Sequence, residues 1–158
     1  MRAPAALLAT LILASCATMP AAGGDVRIIS YETGPCFGAC PIYRVTLNED
    51  GSGLFEGRRF TAVSGARRFT VTRAQFRAFA AQVGPVRPAE GERRFSGPPL
   101  CARMATDMPS VEIVWQGRGE QRLYVYYGCD MERNRAMFDR LSAAPALLPI
   151  GDFIGRAR

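Results

Sequence analysis

The chain contains no histidine, and its 20 basic residues are all arginine because lysine is absent as well. Without histidine there is no Ser-His-Asp or Cys-His nucleophile system, no usual zinc hydrolase site, and not the commonest general base. Carboxylate chemistry is what remains, with Asp107, Glu112 and Asp130 as the candidates. Asp107 precedes Met108-Pro109 and reads as a turn residue, while Asp130 reads as the cap of a helix. No glycine-rich phosphate loop occurs. The sequence argues against an enzyme and implies no cofactor and no metal.

Long apolar runs are scarce too. Ala3 to Ala14 is uninterrupted but falls short of the roughly 20 residues that cross a bilayer. After Met1-Arg2 it fits the core of a secretory leader. The run ends in Leu13-Ala14-Ser15-Cys16, which resembles the bacterial lipobox, so Cys16 is the expected lipidation site. Ala17 follows where inner-membrane lipoproteins commonly carry Asp, so the resemblance implies an outer-membrane lipoprotein facing the periplasm. The division is then a signal peptide over 1–15, a lipidated cysteine and flexible tether over 16–24, and one domain over 25–158.

The formal net charge is +6. Arg58-Arg59, Arg67-Arg68 and Arg93-Arg94 are candidates for a basic face, although solvated arginines on a small domain are the simpler reading. A nucleic-acid partner needs interleaved aromatics and a cytosolic address, and the secretory start argues against it. The partners expected are the membrane, through the anchor at Cys16, and an envelope protein or an anionic envelope surface.

Along the mature chain, "VRIISY" reads as a strand with Val26 and Ile28 on one face. "IYRVTLN" alternates Tyr43, Val45 and Leu47 against Arg44 and Thr46, as a half-buried strand does. Asn48 to Gly51 predicts a tight turn, "GLFEGRRF" the return strand, and Arg67 to Val71 a further strand. Thr72 and Gln75 form a capping box and Val71 with Phe76 a hydrophobic staple. Phe76, Phe79, Ala80 and Val83 then continue at helical spacing up to Gly84-Pro85. Val86 to Pro109 reads as a long irregular connection. "SVEIVWQG" and "QRLYVYYG" form a second hairpin, with Tyr124 and Tyr126 opposite its buried face. A second helix is expected from Asp130, with Met137, Phe138 and Leu141 inward. Hairpins separated by helices predict an α+β fold, an antiparallel sheet packed on two main helices.

Setting Cys16 aside leaves Cys36, Cys40, Cys101 and Cys129, which allow three pairings. Cys36–Cys40 is the local option. Cys101–Cys129 would pin the long connection to the end of the last strand, worth on the order of 3 kcal/mol in the chain-entropy model. A redox pair usually shows Cys-x-x-Cys at a helix start, whereas here the spacing is one longer and a strand follows. Structural zinc ligands come as close-spaced pairs, which Cys101 and Cys129 are not. Copper chaperones of the Sco type share Cys-x-x-x-Cys-Pro but need a distant histidine, which this chain lacks.

These motifs place the chain beside a known family. "GPCFGACPIYRVTLNEDGSGLFEG", with Gly-Pro-Cys-Phe-Gly-x-Cys-Pro-x-Tyr leading into a strand, a turn and a return strand, resembles bacterial envelope proteins carrying the domain of unknown function numbered 6438. The resemblance continues at "TDMPS" (Thr106 to Ser110). It departs after Gly128, where Cys129 and "DMERNRAMFDRL" replace a Pro-led final helix, so Cys101 and Cys129 look like an extra bridge. The family supplies no activity to carry over. The expected function is a non-catalytic interaction or envelope-maintenance module, with a periplasmic thiol-disulfide protein using Cys36 and Cys40 as the alternative. Phe37, inside the cysteine motif, admits two readings, loop or core packing and an exposed anchor, of which packing is preferred.

Overall fold

The computed structural model describes residues 26–155, so the expected leader, the expected lipidation site Cys16 and the expected tether lie outside the described residues. The elements run β1 (Val26–Thr33), β2 (Ile42–Asn48), β3 (Ser52–Arg59), β4 (Gly65–Thr70), α1 (Arg73–Val83), β5 (Gly91–Phe95), β6 (Ser110–Gly117), β7 (Glu120–Tyr126), α2 (Met131–Ala143) and α3 (Gly151–Ile154). The strands make one seven-stranded sheet in the order β4-β3-β2-β1-β6-β7-β5. Every pairing is antiparallel except β5 with β7, which is parallel. No helix among the described residues is long and apolar enough to cross a membrane.

Alternation dictates the inner face. Tyr43, Val45 and Leu47 of β2 are buried with Phe55 of β3, Ile113 and Trp115 of β6, and Leu123 and Val125 of β7. Phe76, Phe79 and Val83 of α1 and Phe138 and Leu141 of α2 close over them. The Tyr31 hydroxyl donates to the Leu141 carbonyl at 3.0 Å, tying the sheet to α2. At the start of α1 both halves of the capping box are made: Thr72 Oγ1 accepts from the Gln75 N–H at 3.1 Å, and Gln75 Oε1 accepts from the Thr72 N–H at 2.9 Å.

Two expectations are corrected. Val26 and Ile28 do not share a face, because a register shift between them inserts one residue. That bulge turns Ile29 and Tyr31 inward and leaves Ile28 on the open side. The connection Val86 to Pro109 is not wholly irregular, since Gly91 to Phe95 runs parallel to β7 as an edge strand. "GERRF" carries no apolar alternation because an edge strand can be mostly solvated. The arginine doublets, read most simply as solvated, send Arg58, Arg68 and Arg94 to the open side of the sheet but toward its opposite edges. Arg67-Arg68 lies on edge strand β4 with Arg58-Arg59 at the end of its neighbour β3, whereas Arg93-Arg94 lies on β5, the opposite edge. Charges on edge strands discourage pairing with another chain.

Candidate functional site

The cysteine loop sits where β1 hands over to β2. The Thr33 hydroxyl donates to the Pro41 carbonyl at 2.8 Å and accepts from the Tyr43 N–H at 3.0 Å. Cys36 is bonded to Cys40, with the Cα atoms 5.8 Å apart. The loop is also fastened to a distant segment: the Gly34 N–H donates to the Ser110 carbonyl at 2.8 Å, and the Phe37 N–H to the Asp107 carbonyl at 3.1 Å. The two motifs quoted for the family resemblance, far apart in the chain, are therefore hydrogen-bonded neighbours. A Cβ at Gly34 would lie 2.1 Å from Ser110 Oγ, so a side chain there would force the Ser110 hydroxyl to turn away. At the tip the Phe37 side chain is 86% exposed. It packs in neither core nor loop, because the bridge and the hydrogen bond to Asp107 hold the backbone with the ring outward.

The segment behind the loop is laced to the end of β7 and the start of α2. The Met108 N–H donates to the Tyr126 hydroxyl at 3.2 Å, the Tyr127 N–H to Pro109 at 3.0 Å, and the Ala105 N–H to Gly128 at 2.9 Å. A Cβ at Gly128 would lie 2.2 Å from the Ala105 carbonyl oxygen, so the strand end admits no side chain there. Cys101 and Cys129, both buried, are bonded across this junction with Cα atoms 5.4 Å apart.

Asp130 stands at the N-cap position, but its carboxylate does not cap the helix. It accepts the Ala102 and Arg103 N–H groups, each at 2.9 Å, and the Asp130 backbone has a left-handed φ of 38°. These backbone donors hold its carboxyl below the usual carboxylate range. The Cys101 and Cys129 sulfurs and an Asp130 oxygen lie within 4.8 Å of one another, the one such grouping of potential metal ligands among the described residues. The sulfurs are bonded to each other and the carboxylate is held by two amides, so the arrangement is that of a structural clip.

The remaining candidates are separate. Asp107 is a left-handed turn residue (φ 67°) whose carboxylate accepts the Thr106 hydroxyl at 3.0 Å. Glu112 lies on the open sheet face, paired with Arg122 at 2.9 Å. On the same face the Arg94 guanidinium sits 4.2 Å from the Tyr124 ring centroid. Burial pushes the Tyr127 hydroxyl up to about 12, out of reach as a base at neutral pH.

Sequence reasoning missed two features. One is a shallow 270 Å³ trough on the open face, floored by Ile28, Ser30, Thr46 and Val114 and walled by Arg44 and Arg122 with their glutamates. Its residues come from four strands, and only the pairing register reveals them. The other is the exposure of Phe60 and Met104 near the cysteine loop. The left-handed φ of 56° at Phe60 belongs to no local turn signature.

No curated protein matches the chain. The family described as "Domain of unknown function (DUF6438)" matches residues 27–144, from β1 to the end of α2 and including both cysteine bridges, and the chain belongs to that family.

Proposed function

We propose that the chain is a lipoprotein held in the outer membrane through Cys16, facing the periplasm, with a domain that is a non-catalytic interaction or envelope-maintenance module. One observation carries the module reading: an aromatic side chain, 86% exposed, on a loop fixed by a disulfide and by hydrogen bonds to a second segment. Folding gains nothing from presenting a phenyl ring to water, whereas recognition uses rigid aromatic anchors. The leader and the cysteine bridges support an exported, oxidising location. Asp107, Glu112 and Asp130 each hold a structural partner, which supports the non-catalytic reading.

The test is acylation and fractionation. Labelling with a palmitate analogue should mark the wild type in the outer-membrane fraction, and Cys16→Ser should abolish the label. An unacylated chain with reduced cysteines in the cytosol would overturn the reading. A thiol-disulfide role is favoured by the position of the Cys36–Cys40 ring around exposed Phe37, Gly38 and Ala39. It is disfavoured because β2, not a helix, follows Cys40, so no helix dipole lowers a thiol pKa. Turnover of a thiol substrate by Cys36–Cys40 would replace the module reading with it.

A further inference from the structure

Cys101 and Cys129 stand 28 positions apart, so no local spacing marks them as a ligand pair. The fold supplies what the spacing lacks. Met104 is bridged to Cys129, and the Asp130 N–H donates to the Arg103 carbonyl at 2.8 Å, which brings the long connection against the start of α2. The Cys101 and Cys129 sulfurs and an Asp130 oxygen thereby come within 4.8 Å of one another. Tetrahedral zinc, with bonds of about 2.3 Å to sulfur and about 2.0–2.2 Å to oxygen, places its ligand atoms roughly 3.5–3.8 Å apart. With the sulfurs unbonded from each other, side-chain rotation alone reaches that spacing, because the Cα atoms are already 5.4 Å apart.

The surroundings hold these atoms as a metal site requires. The two Asp130 carboxylate oxygens each accept one backbone amide, which fixes the group and leaves each oxygen a further lone pair. The Asn134 side-chain amide donates to the Cys129 carbonyl at 2.8 Å and stands 3.7 Å from Cys129 Sγ. Outer partners of this kind orient ligands and favour a thiolate over a thiol. The Arg103 carbonyl lies 3.4 Å from Cys101 Sγ and the Leu100 carbonyl 3.7 Å from Cys129 Sγ, so oxygen is at hand for a fourth position. Two thiolates and a carboxylate would carry three negative charges. Beyond the two amides, Arg103 and Arg133 also act on the Asp130 carboxyl, and they offset what a divalent cation leaves.

We propose that in the dithiol state of the chain Cys101, Cys129 and Asp130 bind one zinc ion, which takes over the clip from the disulfide. A newly made chain carries both cysteines as thiols, so loading needs no reductant: Zn²⁺ displaces the two thiol protons as two Zn–S bonds form. Oxidation later removes two electrons from the two sulfurs, forms the S–S bond and releases the ion. A disulfide oxidant takes up those electrons with two protons and leaves as two thiols. Thiolate ligands select zinc over the calcium or magnesium that oxygen ligands alone would take. The junction behind the cysteine loop thus stays assembled before its bridge exists. The proposal goes beyond the module reading and rests neither on it nor on the anchor at Cys16.

The test uses the full chain carrying Cys16→Ser, Cys36→Ser and Cys40→Ser, so that Cys101 and Cys129 are its only cysteines. Reduced with a phosphine under argon and titrated with Zn²⁺ against a chromophoric chelator, it should take up one ion per chain, and none after oxidation. Cd²⁺ in place of Zn²⁺ should give the ultraviolet charge-transfer absorption of a metal thiolate. Asp130→Asn should weaken Zn²⁺ binding at least tenfold, and Cys101→Ser should abolish it. X-ray absorption at the zinc edge should read two sulfurs with the remainder oxygen, and it keeps the question decidable should Asp130→Asn disturb folding. No uptake by the reduced chain, equal uptake by the bridged chain, unchanged affinity in a folded Asp130→Asn, or a metal shell without two sulfurs would each overturn the proposal.

Discussion

Glu32 on β1 stands directly opposite Glu112 on β6, two like charges face to face in the middle of the sheet. Each is neutralised from its other side. Arg44 reaches Glu32 at 2.6 Å, Arg58 also pairs with it, and Arg122 reaches Glu112 at 2.9 Å. Glu32 and Glu112 side chains are 19% and 28% exposed, so their repulsion is only partly screened.

Arg122→Ala should therefore destabilise the domain by about 1 kcal/mol, the upper end for exposed ion pairs, because it frees an opposed charge. Adding Glu112→Gln should recover most of that loss. Arg44→Ala alone should cost less, since Arg58 still faces Glu32. Urea midpoints in a double-mutant cycle measure the coupling. Additive losses would show that the cross-strand opposition carries no energy.

The two disulfides should differ in worth and in reactivity. Cys36–Cys40 spans 4 positions and Cys101–Cys129 spans 28. The chain-entropy model assigns about 2 kcal/mol to the short ring and about 3–4 kcal/mol to the long one. Replacing each pair by serine should lower stability in that order. Graded reduction followed by alkylation and mass spectrometry should modify Cys36 and Cys40 first, because Cys101 and Cys129 are buried. Simultaneous modification of all four would mean that reduction requires global unfolding.

Asp130 should make the junction behind the cysteine loop acid-sensitive. Its folded pKa is depressed by the Ala102 and Arg103 amides, so its contribution is fully present above the unfolded value near 3.9. That contribution is lost as pH falls through the lower folded value. Wild type should melt above Asp130→Asn by a constant margin from pH 5 upward, and the margin should shrink below pH 4. A margin independent of pH down to pH 2 would remove the carboxylate from the account.

Thr72→Ala should cost about 1 kcal/mol by breaking the capping box, and Thr72→Ser should restore most of it. Equal midpoints for wild type and Thr72→Ala in urea would show that packing of Phe76 and Phe79 alone holds α1.

Local signals were legible. The capping box, the alternation of Tyr43, Val45 and Leu47, and the two hairpins each arise from residues within one or two turns of chain, where backbone sterics and side-chain spacing act directly. The α+β class followed from their order. The edge strand at Gly91 to Phe95 left no pattern, because its pairing with β7 comes from backbone hydrogen bonds that polar side chains accept equally well. The bulge after Val26 reversed the facing of Ile28 and Ile29, since one inserted residue inverts a period of two.

The candidate site divides the same way. Composition alone removed histidine chemistry, and the spacing of Cys36 and Cys40 offered a short ring as one of three pairings. That Phe37 faces water, that Asp107 holds its backbone, and that the Asp130 carboxylate serves Ala102 and Arg103 are outcomes of tertiary structure. A sequence specifies which side chains can bury or bond. Which of them meet across 70 positions depends on the pairing of β1 with β6, a choice made by the whole core rather than by any residue at the site.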